Sequence, residues 1–459
     1  MSENTTPATG LQRQADARIP RARVVAWALW DWGTQPFQTV ITTFVFVSLY
    51  LVSDSFLPDD VAALADDDPL KLRASAELDA GIGLANAAAG ILVALIAPVL
   101  GQRADATGGR KLGLGISTGL LLACTAALWF VQADPAWFVL GATLIALGHV
   151  FSEIAGVNYN AMLVQVATPR TVGRVSGFGW GMGYLGGVIA LAAVAGANAA
   201  GWFGMPVDNG EPFRWVAVAC AVWGLVFCWQ IFRRVPDVAP VADRPRVSFL
   251  AGYVVLAKDV RALWRDSRTT FWFLLASAVY RDGLAGVFVY GAVIGSKAFG
   301  FETADMVVFG ITANLLAGIC TMLVGRLEDV VKPRAVILWS LGLILVSGLG
   351  VVFLRDLGPV VFWVGGLILS CCVGPAQSAS RSFLARVTPA GKESEIFGLY
   401  ATTGRAASFL SSTAWTVTIA VAGATIWGTL GIVAVVLAGL VLMAFVKTPA
   451  DFAYSGGRQ

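Results

Sequence analysis

The chain is 459 residues long, 57% hydrophobic and only 13% charged, with a mean hydropathy of +0.73 and a formal net charge of +3. Soluble domains carry about a quarter charged residues, so this balance excludes a water-soluble globular protein and places the chain in lipid. The six cysteines all fall in apolar runs and imply no disulfide framework.

Helices of about 20 apolar residues are the only open-chain structures that satisfy every backbone group across a bilayer. Behind a polar, Arg-bearing tail (1–23), apolar runs predict spans over 24–52, 80–100, 112–131, 137–164, 175–197 and 213–232. The tail lacks the short apolar core and small-residue cleavage site of a signal peptide, so the first helix is expected to be an uncleaved anchor. A basic linker, 233–268, follows and opens with Pro236, Pro240 and Pro245. Farther on, Phe249, Tyr253, Val254, Ala257, Val260 and Trp264 recur at helical spacing, with Lys258, Arg261 and Arg265 elsewhere, which predicts an amphipathic helix lying on the membrane surface. Six more spans are predicted over 269–295, 305–325, 335–354, 358–384, 396–422 and 425–446, ahead of a short tail, 447–459. The expected fold is an all-α membrane protein of twelve helices in two pseudo-symmetric six-helix bundles, 24–232 and 269–446. Lys and Arg sort onto alternate connections, so both tails are expected in the cytosol and the chain in the cytoplasmic membrane.

The halves repeat each other. Gly101-Gln-Arg-Ala-Asp105-Ala-Thr-Gly-Gly-Arg110 after the second span matches Gly325-Arg-Leu-Glu-Asp329-Val-Val-Lys-Pro-Arg334 after the eighth, with Gly, Asp and Arg at identical spacing. Ala167-Thr168-Pro169 and Ser176-Gly177-Phe178 likewise parallel Val387-Thr388-Pro389 and Phe397-Gly398-Leu399. A duplicated bundle puts a binding site at the midplane between its halves, served by alternating access. In each copy the glycine is expected to make a tight turn that lets helices approach. The aspartate is then free to latch onto a helix N-terminus or an Arg across the halves. Gly101, Asp105, Arg110, Gly325, Asp329 and Arg334 are therefore the gating candidates.

An ionisable group within a span is costly and by default functional. Asp31, His149, Glu153, Arg281, Asp282, Arg381 and Arg405 are such groups. Asp31, Gln35, Gln38 and Thr42 fall on one stripe of the first helix, with Pro36 expected to bend it. His149, Glu153, Gly156 and Asn160 share a face of the fourth, where imidazole and carboxylate could share a proton. A structural ion pair with its neighbour Arg281 is the plainer alternative for Asp282, and Arg381 lies close enough to a helix end to snorkel. Trp27, Trp30 and Trp32 around Asp31, with Trp180, Tyr184, Tyr280 and Tyr290, offer walls suited to an organic solute. Packing between helices, and for Trp27 the interfacial belt, is the plainer alternative for each ring.

Two motif matches fail on context. Gly115-Ile-Ser117-Thr-Gly119 lies in an apolar helix with no strand before it, so it cannot form a serine-hydrolase elbow. Gly181-Met-Gly183-Tyr-Leu-Gly186 has no βαβ unit around it and reads as a helix-packing face. No metal-ligand cluster or nucleotide loop is present, so no enzyme activity, metal, cofactor or nucleic acid is expected.

The strings Trp27-Ala-Leu-Trp-Asp31-Trp, Gly173-Arg-Val-Ser-Gly-Phe-Gly-Trp-Gly-Met-Gly-Tyr-Leu-Gly-Gly187, and Gly374-Pro-Ala-Gln377-Ser-Ala-Ser-Arg381 through Phe397-Gly-Leu-Tyr400 resemble one branch of the major facilitator superfamily. That branch comprises the bacterial relatives of the autophagy-related vacuolar amino-acid effluxers. The resemblance implies the twelve-helix major facilitator fold, an amino-acid-like solute and coupling to an ion gradient. The fifth helix departs from the Gly-Pro pair associated with antiporters, Tyr184 following Gly183.

Residues and resemblance together predict a monomeric secondary transporter for a small polar or zwitterionic organic solute, coupled to protons or another ion. Asp31, His149, Glu153 and Asp282 are the proton-coupling candidates. Trp30, Gln35, Gln38, Trp180, Tyr184, Tyr280, Arg281, Tyr290, Gln377, Arg381 and Arg405 are the substrate-binding candidates, the arginines suiting a carboxylate through bidentate hydrogen bonds. The alternatives are an exporter of drugs or lipophilic solutes on the same fold, and a non-transporting membrane sensor.

Overall fold

The computed structural model describes residues 8–207, 209–237 and 249–448. Among these residues every regular element is helical, and the single strand-type bridge, Thr9 with Pro389, is isolated. Ten helices are individually long and apolar enough to cross a bilayer. The second to sixth spans are Pro69–Thr107, Arg110–Phe130, Pro135–Ala161, Val172–Ala199 and Glu211–Arg234. The seventh to tenth are Arg268–Phe299, Asp305–Val331, Pro333–Phe353 and Pro359–Val387, and the twelfth is Thr425–Phe445.

The first and eleventh spans complete the twelve, and each is interrupted. The first is α-helical over Arg21–Pro36, then continues in wider π turns over Phe37–Phe44 and Phe46–Leu51. Pro36 lacks an N–H and its ring pushes away the preceding turn, so the ladder beyond it re-forms five residues apart, as in Val45 N to Val40 O at 3.0 Å. The eleventh breaks between Glu393–Ala407 and Leu410–Ala422. At that break the Asp282 carboxylate, from the seventh span, accepts from Ser411 N at 2.5 Å and caps the second segment.

The second span starts well before the predicted residue 80. Asp68 caps it by accepting from Leu70 N at 2.8 Å, and Pro69 occupies the first turn, where its missing N–H costs nothing. Lys71, expected in a connection, is thereby buried on the helix with its ammonium on Asp54 and Asp66, at 2.7 and 2.8 Å. That ammonium holds the exposed Asp66 carboxyl below the usual carboxylate range.

The conserved-spacing glycines are also not where a turn forms. Gly101 and Gly325 are helical, and the turns that follow are made by Gly108 (φ 70°) and, at the matching place in the second half, Lys332 (φ 77°). Between the halves, the second span packs on the eleventh and the fifth on the eighth. The surface helix Phe249–Asp266 lies along the second span, where the Tyr253 hydroxyl donates to the Leu95 carbonyl at 2.9 Å, and leads directly into the seventh. Linker residues 238–248, with Pro240 and Pro245, fall outside the described residues, as do 1–7 and 449–459 of the tails. All six cysteines carry free thiols. Large apolar side chains such as Leu84, Val139, Trp339 and Val346 stand exposed on the outer faces, where lipid would cover them.

Candidate functional site

The two halves are held together at the end where the first span begins and the twelfth finishes. The Asp105 carboxylate, at the end of the second span, accepts from Ser394 N at 3.1 Å and Glu395 N at 2.9 Å, the first turn of the eleventh. Its counterpart Asp329 accepts from Gly173 N at 2.8 Å and Arg174 N at 3.3 Å, the first turn of the fifth. Each is a carboxylate on a helix N-terminus, where unpaired N–H groups and the helix dipole both favour negative charge. Helical glycines permit the approach: a Cβ on Gly101 would strike the Ser394 backbone, and one on Gly325 would come within 2.9 Å of the Gly177 Cα.

The arginines of the repeat diverge. Arg110 is buried and bridges Asp105 at 2.7 Å to Glu393, across the halves, at 2.5 Å. Arg334 instead donates to the Ala444 carbonyl at 2.7 Å, at the end of the twelfth span, and takes no part in the gate. Glu328, next to Asp329, is wholly buried and accepts from the Ser382 hydroxyl, and Arg386 donates to the Pro169 carbonyl across the halves at 2.9 Å. The N-terminal tail seals the same end. Ala390 N donates to the Ala8 carbonyl at 3.1 Å, Leu11 is 1% exposed, and Gly10 passes between Val164 and Glu393.

Beyond this closed end lies a cavity of about 780 Å³ between the halves. Among the sequence candidates, Gln35, Gln38, His149, Glu153, Trp180, Tyr184, Arg281, Gln377, Arg381 and Arg405 line it. The first-helix stripe is shifted: Thr39 and Thr43 face the cavity in place of Thr42, because π turns advance the phase that α spacing assumes.

Two ion pairs cross the cavity, each with its acid on the first half and its base on the second. Glu153 pairs with Arg405. Asp31 accepts from the Tyr159 hydroxyl at 2.8 Å and faces Arg381 at 3.5 Å. Arg381 does not snorkel. Its guanidinium reaches into the first half, donating to the Ser176 hydroxyl at 3.0 Å, the Ser176 carbonyl at 2.6 Å and Asn160 at 3.1 Å. It is flanked by the rings of Trp27 and Trp180 at 4.8 and 5.1 Å. Arg281 lies over the Tyr400 ring at 3.8 Å and donates to the Tyr400 carbonyl at 3.0 Å. Among the described residues no ion pair joins Arg281 to a carboxylate.

Several expectations change here. Asp282 is neither in the cavity nor paired with Arg281, since consecutive helical residues point about 100° apart; its carboxylate is spent on the eleventh-span break. Glu153 is taken by Arg405, while His149 packs edge-on against Phe37. Trp30 is buried behind Asp31, stacked on Tyr159 and bonded to Thr118. Trp27 is fully buried and not at an interface. Tyr280 bonds Ser380 behind the wall, and Tyr290 stacks on Trp415. Tyr159, Ser176 and Tyr400 were not among the candidates. The last two sit inside the motif strings at the fifth and eleventh helices, which was the available signal.

Comparison with known proteins agrees with this geometry. Residues 41–412 match the Major Facilitator Superfamily. The chain is 24% identical over 427 residues to the uncharacterized MFS-type transporter YxiO of Bacillus subtilis (strain 168), covering 92% of this chain and 94% of that one. Its fold is similar to that of the human organic anion transporter MFSD10 (TM-score 0.72, 17% identity, 92% of this chain and 99% of that one). It is also similar to the proton:xylose symporter XylE (TM-score 0.68, 12% identity, 93% and 96%). With the family matched across most of its length and the twelve-helix bundle pair in place, the chain belongs to the major facilitator superfamily of membrane transporters.

Proposed function

We propose that this transporter moves a small organic solute bearing a carboxylate, polar or zwitterionic and amino-acid-like in its charged part, by alternating access coupled to protons. The observation that carries the reading is the charge of the cavity. Glu153 on the wall, with Asp31 set back against Arg381, stands against Arg281, Arg381 and Arg405. One guanidinium is therefore in excess, and Arg281 is the one outside an ion pair. A guanidinium in a partly dry cavity binds a carboxylate through paired, charge-assisted hydrogen bonds.

The cross-half pairs supply the coupling. Removing the charge from one partner of a buried pair such as Asp31 with Arg381 leaves the other uncompensated, at a cost of about 3–5 kcal/mol, and less for Glu153 with Arg405, which solvent screens. Protonation of Glu153 therefore frees Arg405, and protonation of Asp31 loosens Arg381 from the first half. Each event biases the halves to separate at the closed end. The excess of Lys and Arg on that end makes it the cytosolic one, with both tails inside; the conformation described is then open toward the outside.

The test is solute counterflow in proteoliposomes under an imposed pH gradient, comparing wild type with Glu153→Gln, Asp31→Asn and Arg281→Lys. Glu153→Gln and Asp31→Asn are expected to abolish gradient-driven accumulation while sparing exchange, and Arg281→Lys to raise KM at least tenfold. Accumulation insensitive to both acid substitutions and to collapse of the gradient would refute proton coupling.

A further inference from the structure

The polar cavity continues into a second space. Thr43, Phe44, Phe288, Val289 and Asn314 line both it and an apolar pocket of about 350 Å³ sunk into the second bundle. Met306, Phe309, Ile344, Val351, Phe362 and Ile432, from four different spans, form its walls. Its volume is in the range of small-molecule sites, about 300–1,000 Å³. Two further features mark it as room for a guest. The Thr429 hydroxyl on its wall is buried and finds no hydrogen-bond partner among the described residues, which is costly unless a ligand atom meets it. At Gly291, also on the wall, an added Cβ would touch nothing within 4 Å.

Arg281, Phe288 and Gly291 lie on one helix. At 1.5 Å rise per residue the guanidinium and the pocket wall are about 15 Å apart along its axis, with Phe288 at the mouth. We infer that the apolar pocket is a subsite for the hydrophobic part of the transported solute, whose carboxylate is held at Arg281. The substrate class is then an amphipathic organic anion, with an aromatic or branched alkyl group some 10–15 Å from its charge. An oxygen on that group would satisfy Thr429. The inference rests on the proposed role of Arg281 and adds the apolar half of the recognition. It also explains why a cavity with three arginines opens onto a wall without charge.

The experiment is titration calorimetry of the purified protein in nanodiscs with a series of ω-phenylalkanoates: phenylacetate, 4-phenylbutyrate, 6-phenylhexanoate and 8-phenyloctanoate. Affinity is expected to climb with length, by up to about fourfold for each methylene buried, until the ring fills the pocket. Gly291→Leu is expected to flatten the series, costing 6-phenylhexanoate at least tenfold while leaving phenylacetate unchanged. Gly291→Ala flattens it less in the same direction. Arg281→Lys weakens every member alike. If no member binds and Arg281→Lys changes nothing, both the Arg281 reading and the subsite fall. If binding depends on Arg281 but not on chain length, or Gly291→Leu and Gly291→Ala leave the slope intact, Arg281 stands and the subsite is wrong. A phospholipid that co-purifies with wild type and is lost from Gly291→Leu, with no change in the series, would assign the pocket to a bilayer acyl chain and overturn the inference.

Discussion

The two copies of the gate began as one sequence and have kept different parts of it. In both, an aspartate at a helix end takes two backbone N–H groups from the start of a helix in the opposite half. The first copy has added a buried Arg110 that ties Asp105 to Glu393 and a tail packed over the joint. In the second copy the matching Arg334 has left for the end of the twelfth span. Backbone capping is thus the shared element of the latch, while the second copy takes its guanidinium from another place in the chain, Arg386, which donates to the Pro169 carbonyl across the halves at 2.9 Å.

This asymmetry sets the order in which substitutions should act. Arg110→Ala leaves Asp105 and Glu393 buried without their cation, and we expect a loss of about 3–5 kcal/mol, read as a large drop in melting temperature in detergent. Asp105→Asn comes next. It removes a charged cap and the Arg110 partner together, and spin-label distances across the tail-bearing end should show that end opening. Asp329→Asn removes a charged cap worth about 1 kcal/mol and leaves Arg386 on the Pro169 carbonyl, so the same measurement should show a smaller population shift. Lys332→Gly relieves a positive-φ backbone (φ 77°, ψ 150°) that a side chain strains, and should stabilise the fold by about 1 kcal/mol or more. Arg334→Ala should change neither stability nor opening by more than about 0.5 kcal/mol. Equal effects of Asp105→Asn and Asp329→Asn, or of Arg110→Ala and Arg334→Ala, would mean that the two gates are interchangeable after all.

The same comparison shows how far residues alone carry the argument. Twelve apolar runs and an aspartate at matched spacing were enough for the architecture, because burial in lipid imposes length and helicity on every span. The glycines of the repeat were misread as turn formers. A glycine that lets two helices cross looks the same in sequence as one that reverses the chain, and only the partner at Ser394 or Gly177 tells them apart. The outer turns of the second span were missed because Lys71, Arg73, Glu77 and Asp79 dilute its hydropathy, although the helix continues through them. Within the cavity, the fourth-helix face of His149, Glu153, Gly156 and Asn160 could be read from 3.6-residue spacing, since that helix is regular there. The first-helix stripe could not, since Pro36 sets off π turns whose extent depends on neighbours. Which base each acid meets was also hidden, because Asp31 with Arg381 and Glu153 with Arg405 are contacts between halves more than 250 residues apart.

The gate aspartates grip main chain, and main chain is the same whatever residue carries it. Ser394, Glu395 and Arg174 can therefore change identity without slackening the hold, whereas Asp105 and Asp329 have no substitute of equal charge and reach. Adjustment of how readily this transporter opens is in this way concentrated on two side chains, each of which can be altered without rebuilding the helix it seizes.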